Sequence, residues 1–442
     1  MRLALLCFLV AGASIHSGAA RVYETWRAFI TNVIPSVAAG EAPITGTNFA
    51  ATCSAVDKDG NTIVGGHYQL DNFASGGWHL AKFSPAGTLL WHHRFETGAM
   101  ADLDDLALDD RGRIYTSIRR GDSDPRRALA VIQSSPDGVE IMRWEDDALP
   151  ANGLFGASSV KLDAHGNALV LHVLLTGGKP VPLASKYDVR GRQVFRIQLP
   201  VEGYSILGGG MRDCWVVTPD GGLILAGSSL MKGRWRDTHA GFALRLDARG
   251  KVMWKIHSSD ISGLPQVLWV PFQRVAVGGD SRLAVFHSNN GRTLWTRGLT
   301  VGANQMHLRG DGSILIQQSV LLSRFAWNGT PQWITHTGLS SNFIGGVPDS
   351  GDGWIAAGAS PFPSVSPMFI RFVQVDGAGQ IQWQTDLPAP NFYGEFHAPR
   401  PQRGMHLAPD GTLRLVLNTH YGLSWQPSPS GIAVLAYELS RD

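Results

Sequence analysis

Val56-Asp-Lys-Asp-Gly-Asn-Thr-Ile-Val-Gly-Gly66, followed after a gap by His79-Leu-Ala-Lys-Phe-Ser-Pro-Ala-Gly-Thr-Leu-Leu-Trp91, is the stretch that decides the fold. In each half a short polar segment ending in glycine separates two apolar runs. That is the pattern of a tight turn between strands, in which Asp, Asn and Pro favour the reversal and Gly takes the positive φ. The second half adds a Gly-x-x-x-aromatic step, Gly87 to Trp91. The step recurs at Gly191…Phe195, Gly250…Trp254, Gly291…Trp295, Gly329…Trp333 and Gly379…Trp383, with a looser copy at Gly138…Trp144. The first-half turn recurs at Gly112, Gly166, Gly221, Gly312, Gly353 and Gly411. In the fifth repeat that turn is missing, and Gln266 to Val277 reads as an apolar strand bearing Trp269.

Copies spaced by about one four-stranded sheet indicate a radial repeat, and so an all-β chain built as a β-propeller. Eight first halves meet only seven second halves. After Gly411 the strands at Thr412 to Leu417 and Ile432 to Leu439 lead to Asp442 without a further Gly-x-x-x-aromatic step. The missing outer strand is predicted at the other end, in Arg21-Val-Tyr-Glu-Thr-Trp26-Arg-Ala-Phe29, which alternates and carries the aromatic. An N-terminal strand completing the last sheet closes the ring and removes an edge that would template aggregation. The expected organisation is therefore one domain over 21–442 with eight blades of four antiparallel strands. The closing strand lies at 21–30, and the blades lie at about 50–98, 102–146, 157–200, 212–258, 266–300, 303–337, 344–388 and 403–442.

These quoted repeats resemble the eight-bladed propellers built from pyrroloquinoline-quinone-like (PQQ-like) repeats and the related bacterial Asp-x-x-Gly-Asn propeller repeats. The likeness covers residues 50 to 442 and is specific for architecture. It implies that Trp26, Trp91, Trp144, Phe195, Trp254, Trp295, Trp333 and Trp383 dock each outer strand against the neighbouring blade. It also raises a quinoprotein dehydrogenase. Such enzymes hold the quinone against an adjacent-cysteine disulfide with calcium nearby, and this chain has no adjacent cysteines, is shorter, and offers no clear calcium set. Neither PQQ nor calcium is expected to be bound. At fold level the chain also looks like the propeller component of the outer-membrane protein assembly machinery, without that lipoprotein's anchoring cysteine.

Residues 1–20 read as a secretory signal peptide, with Arg2, the apolar run Leu3 to Gly12 and small residues at Gly18, Ala19 and Ala20. No later stretch approaches the ~20 apolar residues of a membrane helix. The formal net charge is +2 and falls to +1 with Arg2 removed, so no nucleic acid or other charge-driven partner is implied. Cys53 and Cys214 occupy equivalent places three repeats apart, beyond the ~7 Å Cα reach of a disulfide. Two buried thiols are expected. A secreted or periplasmic monomer fits these features.

Asp57, Asp59 and Asn61 space oxygen ligands as a calcium loop does, but no distant acidic ligand follows and the other repeats vary. An ordinary turn is the simpler reading, and no metal is expected. Polar residues eight or seven positions before the turn glycines form a ring at the axial mouth: Asp104, Asp105, Asp213, Asn304, Gln305 and Arg403. They are ligand candidates or simply line channel water. The long connections, between second and third strands and between blades, share one face. They carry Tyr68, Trp78, Arg234, Trp235, His239, Tyr393, His397, His420, Tyr421 and Trp425. Trp, Tyr and Arg are the types enriched at binding hot spots. Asn328-Gly-Thr330 fits the N-glycosylation pattern.

No nucleophile elbow, His-Glu-x-x-His helix or Cys-x-x-Cys pair is present. The favoured function is a non-catalytic binding or scaffolding propeller that holds a protein segment or glycan on its long-loop face. The alternative is an envelope enzyme acting on a carbohydrate or small alcohol at the axial mouth, quinoprotein-like but without bound quinone.

Overall fold

The Asp-x-x-Gly-Asn sequence folds as a self-satisfied turn. Asp57 Oδ1 accepts the backbone N–H of Asp59 (3.0 Å) and of Asn61 (2.9 Å), while the Asn61 side-chain amide donates to Asp57 Oδ2 at 2.9 Å. Gly60, at φ 80°, donates to the Asp57 carbonyl at 3.0 Å. Asp163 and Asn167 repeat the arrangement. The second turn is built alike: Gly87 (φ 82°) donates to the Ser84 carbonyl at 2.9 Å, and the strand register shifts between Lys82 and Phe83. Turn plus glycine bulge reverses the chain and sharpens its twist.

The computed structural model describes residues 22–30, 48–69, 76–96, 101–120, 129–145, 154–176, 179–201, 204–206, 213–231, 238–261, 265–318, 320–339, 343–349, 352–359, 369–388, 396–397, 404–420 and 430–439. Its strands form eight antiparallel sheets in chain order around a ring. The first blade comprises Asn48–Val56, Thr62–Gln69, Gly76–Phe83 and Leu89–Glu96, running from the axis outward. The next two run Ala101–Leu108 to Glu140–Glu145 and Leu154–Leu162 to Gln193–Gln198. The fourth ends at Val252–Ser258, and the fifth to seventh span Gln266–Val270 to Thr293–Gly298, Gln305–Leu308 to Pro331–His336 and Phe343–Pro348 to Ile381–Pro388. In the eighth, Val22–Ile30 pairs antiparallel with Ser430–Leu439, Trp26 lying opposite Ala436. The ring is closed by the N-terminal strand. The Trp26 side chain lies outside the described residues.

The core lies between blades rather than within any one of them. Ile344, Ile355 and Phe372 of the seventh blade pack with Leu415, Leu435 and Tyr437 of the eighth; Leu169 and Phe195 of the third pack with Trp215 and Phe242 of the fourth. Middle strands are buried on both faces, which is why Leu223-Ile-Leu-Ala226 is continuously apolar instead of alternating.

One contact repeats around the circumference. From the second blade to the seventh, the outer-turn glycine lies on the aromatic of the blade before it. A Cβ at Gly250 would stand 2.7 Å from the Phe195 ring, at Gly291 2.9 Å from Trp254, at Gly329 2.6 Å from Trp295, and at Gly379 2.6 Å from Trp333. The indole N–H groups tie into the same turns: Trp254 donates to Ser288 O, Trp295 to Trp327 O (3.1 Å) and Trp333 to Gly377 O (2.9 Å). The two ends of the Gly-x-x-x-aromatic step thus serve different interfaces, the glycine facing backward and the aromatic forward.

Three details differ from the sequence reading. In the second blade the register equivalent of Trp91 is Met142, not Trp144: Gln133 opposes Met142 just as Lys82 opposes Trp91. Trp144, two residues on and hence on the same face, stacks on Tyr187 of the third blade at 5.4 Å. The fifth blade does have its first turn. Strands Gln266–Val270 and Arg274–Gly278 join through Pro271, Phe272 and Gln273, the last two at φ 63° and 57° without being glycine. The innermost strands of the fourth and eighth blades come in two pieces, Tyr204–Ile206 with Trp215–Val217 and Phe396–His397 with Met405–Leu407. Between them the sequence places Gly208-Gly-Gly210 in one case and Pro399 and Pro401 in the other, residues that weaken or cannot donate to a ladder.

Removing residues 22–30 exposes the Ser430–Leu439 edge. We expect the truncated protein to lose its single cooperative unfolding transition and to self-associate, as read by calorimetry and light scattering; a monomer with unchanged midpoint would refute ring closure. Gly329→Ala places a side chain against Trp295 at a φ of 84°. It should destabilise by about 1–3 kcal/mol in denaturant titration.

Candidate functional site

Asp104 and Asp105 do not point into the channel. Asp104 is buried and accepts from the backbone N–H of Ser158 at 2.9 Å and from its hydroxyl at 3.0 Å. Asp105 is fully buried and accepts from the Ser159 hydroxyl at 2.6 Å and the Val160 N–H at 3.2 Å. Both therefore join the second blade to the third. A register shift between Leu103 and Asp105 lets two successive side chains face the same neighbour, which strict strand alternation forbids. Their reading as channel-facing ligand candidates is thus corrected.

Gln305 clamps Gly346 of the seventh blade, its amide donating to the Gly346 carbonyl and accepting the Gly346 N–H, both at 3.1 Å. Asn418 does the same for Ala51 across the closing seam, at 2.7 and 2.9 Å. Asp213 is half-buried, and its carbonyl receives the Val267 N–H at 2.6 Å. Asn304 is half-buried at the start of the sixth inner strand. Arg403 lies outside the described residues. Of the six mouth candidates, Asp104, Asp105 and Gln305 thus bind the neighbouring blade through their side chains.

A second polar belt runs under the turn face. Lys82 pairs with Asp57 (3.0 Å), Lys186 with Asp163 (2.9 Å), Arg245 with Asp220 (2.7 Å) and Arg324 with Asp311 (2.8 Å). Each cation also reaches a carbonyl of the next blade: Pro136, Gly221, Ser288 and Gly377 respectively. Arg414 of the eighth blade joins Asp410 to the Pro85 carbonyl of the first. The belt was not read from sequence, though it has a signal: Lys82, Lys186, Arg245 and Arg324 stand five residues before a turn glycine, where Gln133 and Gln374 stand in other repeats. Burial alone would raise the Asp163 carboxyl, but hydrogen bonds from Asn167 and Lys186 outweigh it and hold it below 3.8; Asp57 behaves alike with Asn61 and Lys82. Asp57 is thus committed to its turn and to Lys82. Among the described residues no cluster of three or more His, Cys, Asp or Glu is placed to hold a metal ion. Cys53 and Cys214 are reduced thiols buried in different blades, and burial pushes Cys214 up to about 12.

The long-loop residues divide. Tyr68 and Trp78 do not lie on the loop surface expected from the sequence; they lie on the strands Thr62–Gln69 and Gly76–Phe83 at 3% and 1% exposure. Trp78 stacks on Phe95 with ring centroids 3.6 Å apart. Both are core side chains, because the hairpin extends further before turning than the sequence indicated. His239, His397 and His420 sit on strands, with side chains outside the described set. Arg234, Trp235, Tyr393, Tyr421 and Trp425 lie outside the described residues.

No family model matches the chain, and no curated protein matches it. Solved structures do. Sqt1 from Chaetomium thermophilum superposes with a TM-score of 0.52 at 11% identity, covering 93% of this chain and 100% of that one. The computationally designed Ika8 protein gives 0.50 at 11% identity over 89% and 98%. BamB from Moraxella catarrhalis gives 0.47 at 11% identity over 96% and 99%. At this identity the likeness concerns the propeller fold alone. No helix among the described residues is long and apolar enough to cross a membrane.

Buried imidazoles set the acid response. Burial, reinforced by Arg309, pushes His307 down from 6.5 to about 4, and burial with Arg94 and His93 does the same to His92. Their folded values lie below the unfolded one, so their contribution is complete above pH 6.5 and is lost as pH falls toward 4. The carboxylates of the belt add a second loss below 3.8. The denaturation midpoint should therefore be level above pH 6.5 and decline in two stages beneath it. His307→Phe, which keeps a ring against Trp354, should shrink the upper stage while His92 keeps part of it; an unchanged profile would contradict the assignment.

Proposed function

We propose that this propeller is a secreted or periplasmic binding scaffold that holds a protein segment or a glycan on the face formed by its inter-blade connections and the connections between second and third strands. The observation carrying this reading is the use of Asp104 and Asp105 as inter-blade acceptors for Ser158 and Ser159. Asp104 and Asp105 are thereby taken up between blades, which weakens the competing reading, an enzyme acting on a carbohydrate or small alcohol at the axial mouth, and leaves it Asp213. What remains is a ring stiffened by buried polar staples and aromatic contacts, supporting long connections rich in aromatic, histidine and arginine residues. Such a division of labour, a rigid scaffold with variable loops, is common where loops carry recognition. The apolar leader at residues 1–20 supports export, and the PQQ-like resemblance supports an envelope setting without requiring the quinone.

Peptide and glycan arrays probed with the mature protein test the reading. Trp235→Ala combined with Tyr393→Ala should abolish the signal while the unfolding free energy stays within about 0.5 kcal/mol of wild type. Signals unaffected by the pair, or lost on Asp213→Asn alone, would return the site to the axial mouth.

A further inference from the structure

The face opposite those connections is closed by short turns, and in most blades their tips are polar or small. First turns present Lys58 and Asp59, Asp110 and Arg111, Ala164 and His165, Pro219 and Asp220, or Pro409 and Asp410. The fifth and sixth blades depart from this together. Phe272, at the tip of the fifth blade's first turn, is 82% exposed, the highest of the large apolar side chains among the described residues. Trp327, at the tip of the sixth blade's outer turn, is 52% exposed. Between them lies Arg274, its guanidinium carbon 4.7 Å from the Trp327 ring centre and 5.9 Å from that of Phe272.

The patch is held in place from beneath. Trp295 Nε1 donates to the Trp327 carbonyl at 3.1 Å. The Gln273 carbonyl receives the Ser288 N–H at 2.8 Å, and its side-chain oxygen receives the Asn289 amide at 2.6 Å. These bonds account for the left-handed backbone at Gln273. Nothing comparable accounts for Phe272, which takes φ 63° and then directs its ring into water. A non-glycine residue in this region is strained, and among the described residues the one ring contact Phe272 makes is with the Arg274 guanidinium.

Arg274 differs from six other cations near this face. Lys82, Lys186, Arg245, Arg309, Arg324 and Arg414 each pair with an aspartate. The bond Arg274 makes is a long one, 3.4 Å from Nη1 to the Trp327 carbonyl, and no carboxylate among the described residues faces it. A guanidinium stacked on an indole keeps its in-plane N–H groups available, and their fork matches a carboxylate. The same stacking occupies a face of Trp327 that a sugar ring would otherwise use.

We propose that Phe272, Arg274 and Trp327 form a second docking surface, separate from the long-loop face, for an extended peptide in which an acidic side chain adjoins a bulky apolar one. The carboxylate meets the free edge of Arg274, and the apolar neighbour covers Phe272. No part of this rests on the long-loop reading, since the two surfaces lie on opposite faces.

An array of ten-residue peptides tests it, with every pairing of Asp or Glu beside Leu, Ile, Phe or Trp, each with its Asn or Gln counterpart, and with hits measured by fluorescence polarisation. Acidic peptides should bind about tenfold or more tighter than their amides, the scale of a charge-assisted hydrogen bond, and should weaken with salt. Arg274→Gln, Trp327→Ala and Phe272→Gly should each reduce that binding several-fold, while Trp235→Ala leaves it intact. Phe272→Gly is the internal control: glycine suits the left-handed backbone, so its melting midpoint should hold or rise while binding falls. Acidic and amide peptides binding alike, binding indifferent to all three variants, or a glycan-array signal that these variants remove in the absence of any peptide signal would each overturn the proposal.

Discussion

The contact on which the molecule depends is a glycine lying flat on the aromatic ring of the preceding blade. A sheet with a hydrophobic face on each side is stable only when both faces are covered, and in a ring every sheet covers its neighbour. Gly329 over Trp295 and Gly379 over Trp333 show how close that approach is, since a methyl group would intrude on either ring. The indole N–H then fastens to the turn that carries the glycine, so shape and hydrogen bond fix the same spacing. Because the contact is relayed from blade to blade, an unclosed ring would leave one blade uncovered on each side of the gap. Pairing of Val22–Ile30 with Ser430–Leu439 prevents this.

The polar chemistry follows from the same requirement. Buried carboxylates and cations are tolerable only when paired and hydrogen-bonded, and breaking one partner leaves a charge stranded in the interior. The belt from Lys82–Asp57 to Arg414–Asp410 meets that condition by letting each cation serve its own turn and a carbonyl of the next blade. At the axial end, Asp104, Asp105, Gln305 and Asn418 do it with neutral partners across the interface. These groups give the ring a register, because an amide that both donates and accepts with one backbone residue permits no slippage. They are structural groups that on a residue list look like a binding ring.

With both ends of the blades so committed, the proposed binding falls to what projects beyond them. One face bears the long connections. The other is almost uniformly short, polar turns, and its exception at Phe272, Arg274 and Trp327 combines a left-handed aromatic with a cation that stacks on two rings. Departures of that kind, concentrated in two adjoining turns, are where a fold otherwise consistent at every level carries something besides stability.

The repeat was legible in the sequence because its causes are local. Asp57 and Gly60 make a turn from their own atoms, and the Gly-x-x-x-aromatic step keeps a fixed spacing, so counting copies predicted eight blades and a closing strand near Trp26. What sequence alone left open was direction. Whether Asp105 faces the channel or the next blade depends on a bulge at Leu103, whether Trp78 is loop or core depends on how far a hairpin extends, and Met142 rather than Trp144 holds the register because strand pairing, not similarity, assigns it. The missing turn in the fifth repeat was hidden for the same reason, since no glycine marks it and bonds from Ser288 and Asn289 hold Gln273 in a glycine's backbone. Local geometry is written in neighbouring residues. The partner across an interface is chosen by residues some forty to fifty positions away, and only the closed ring brings them together.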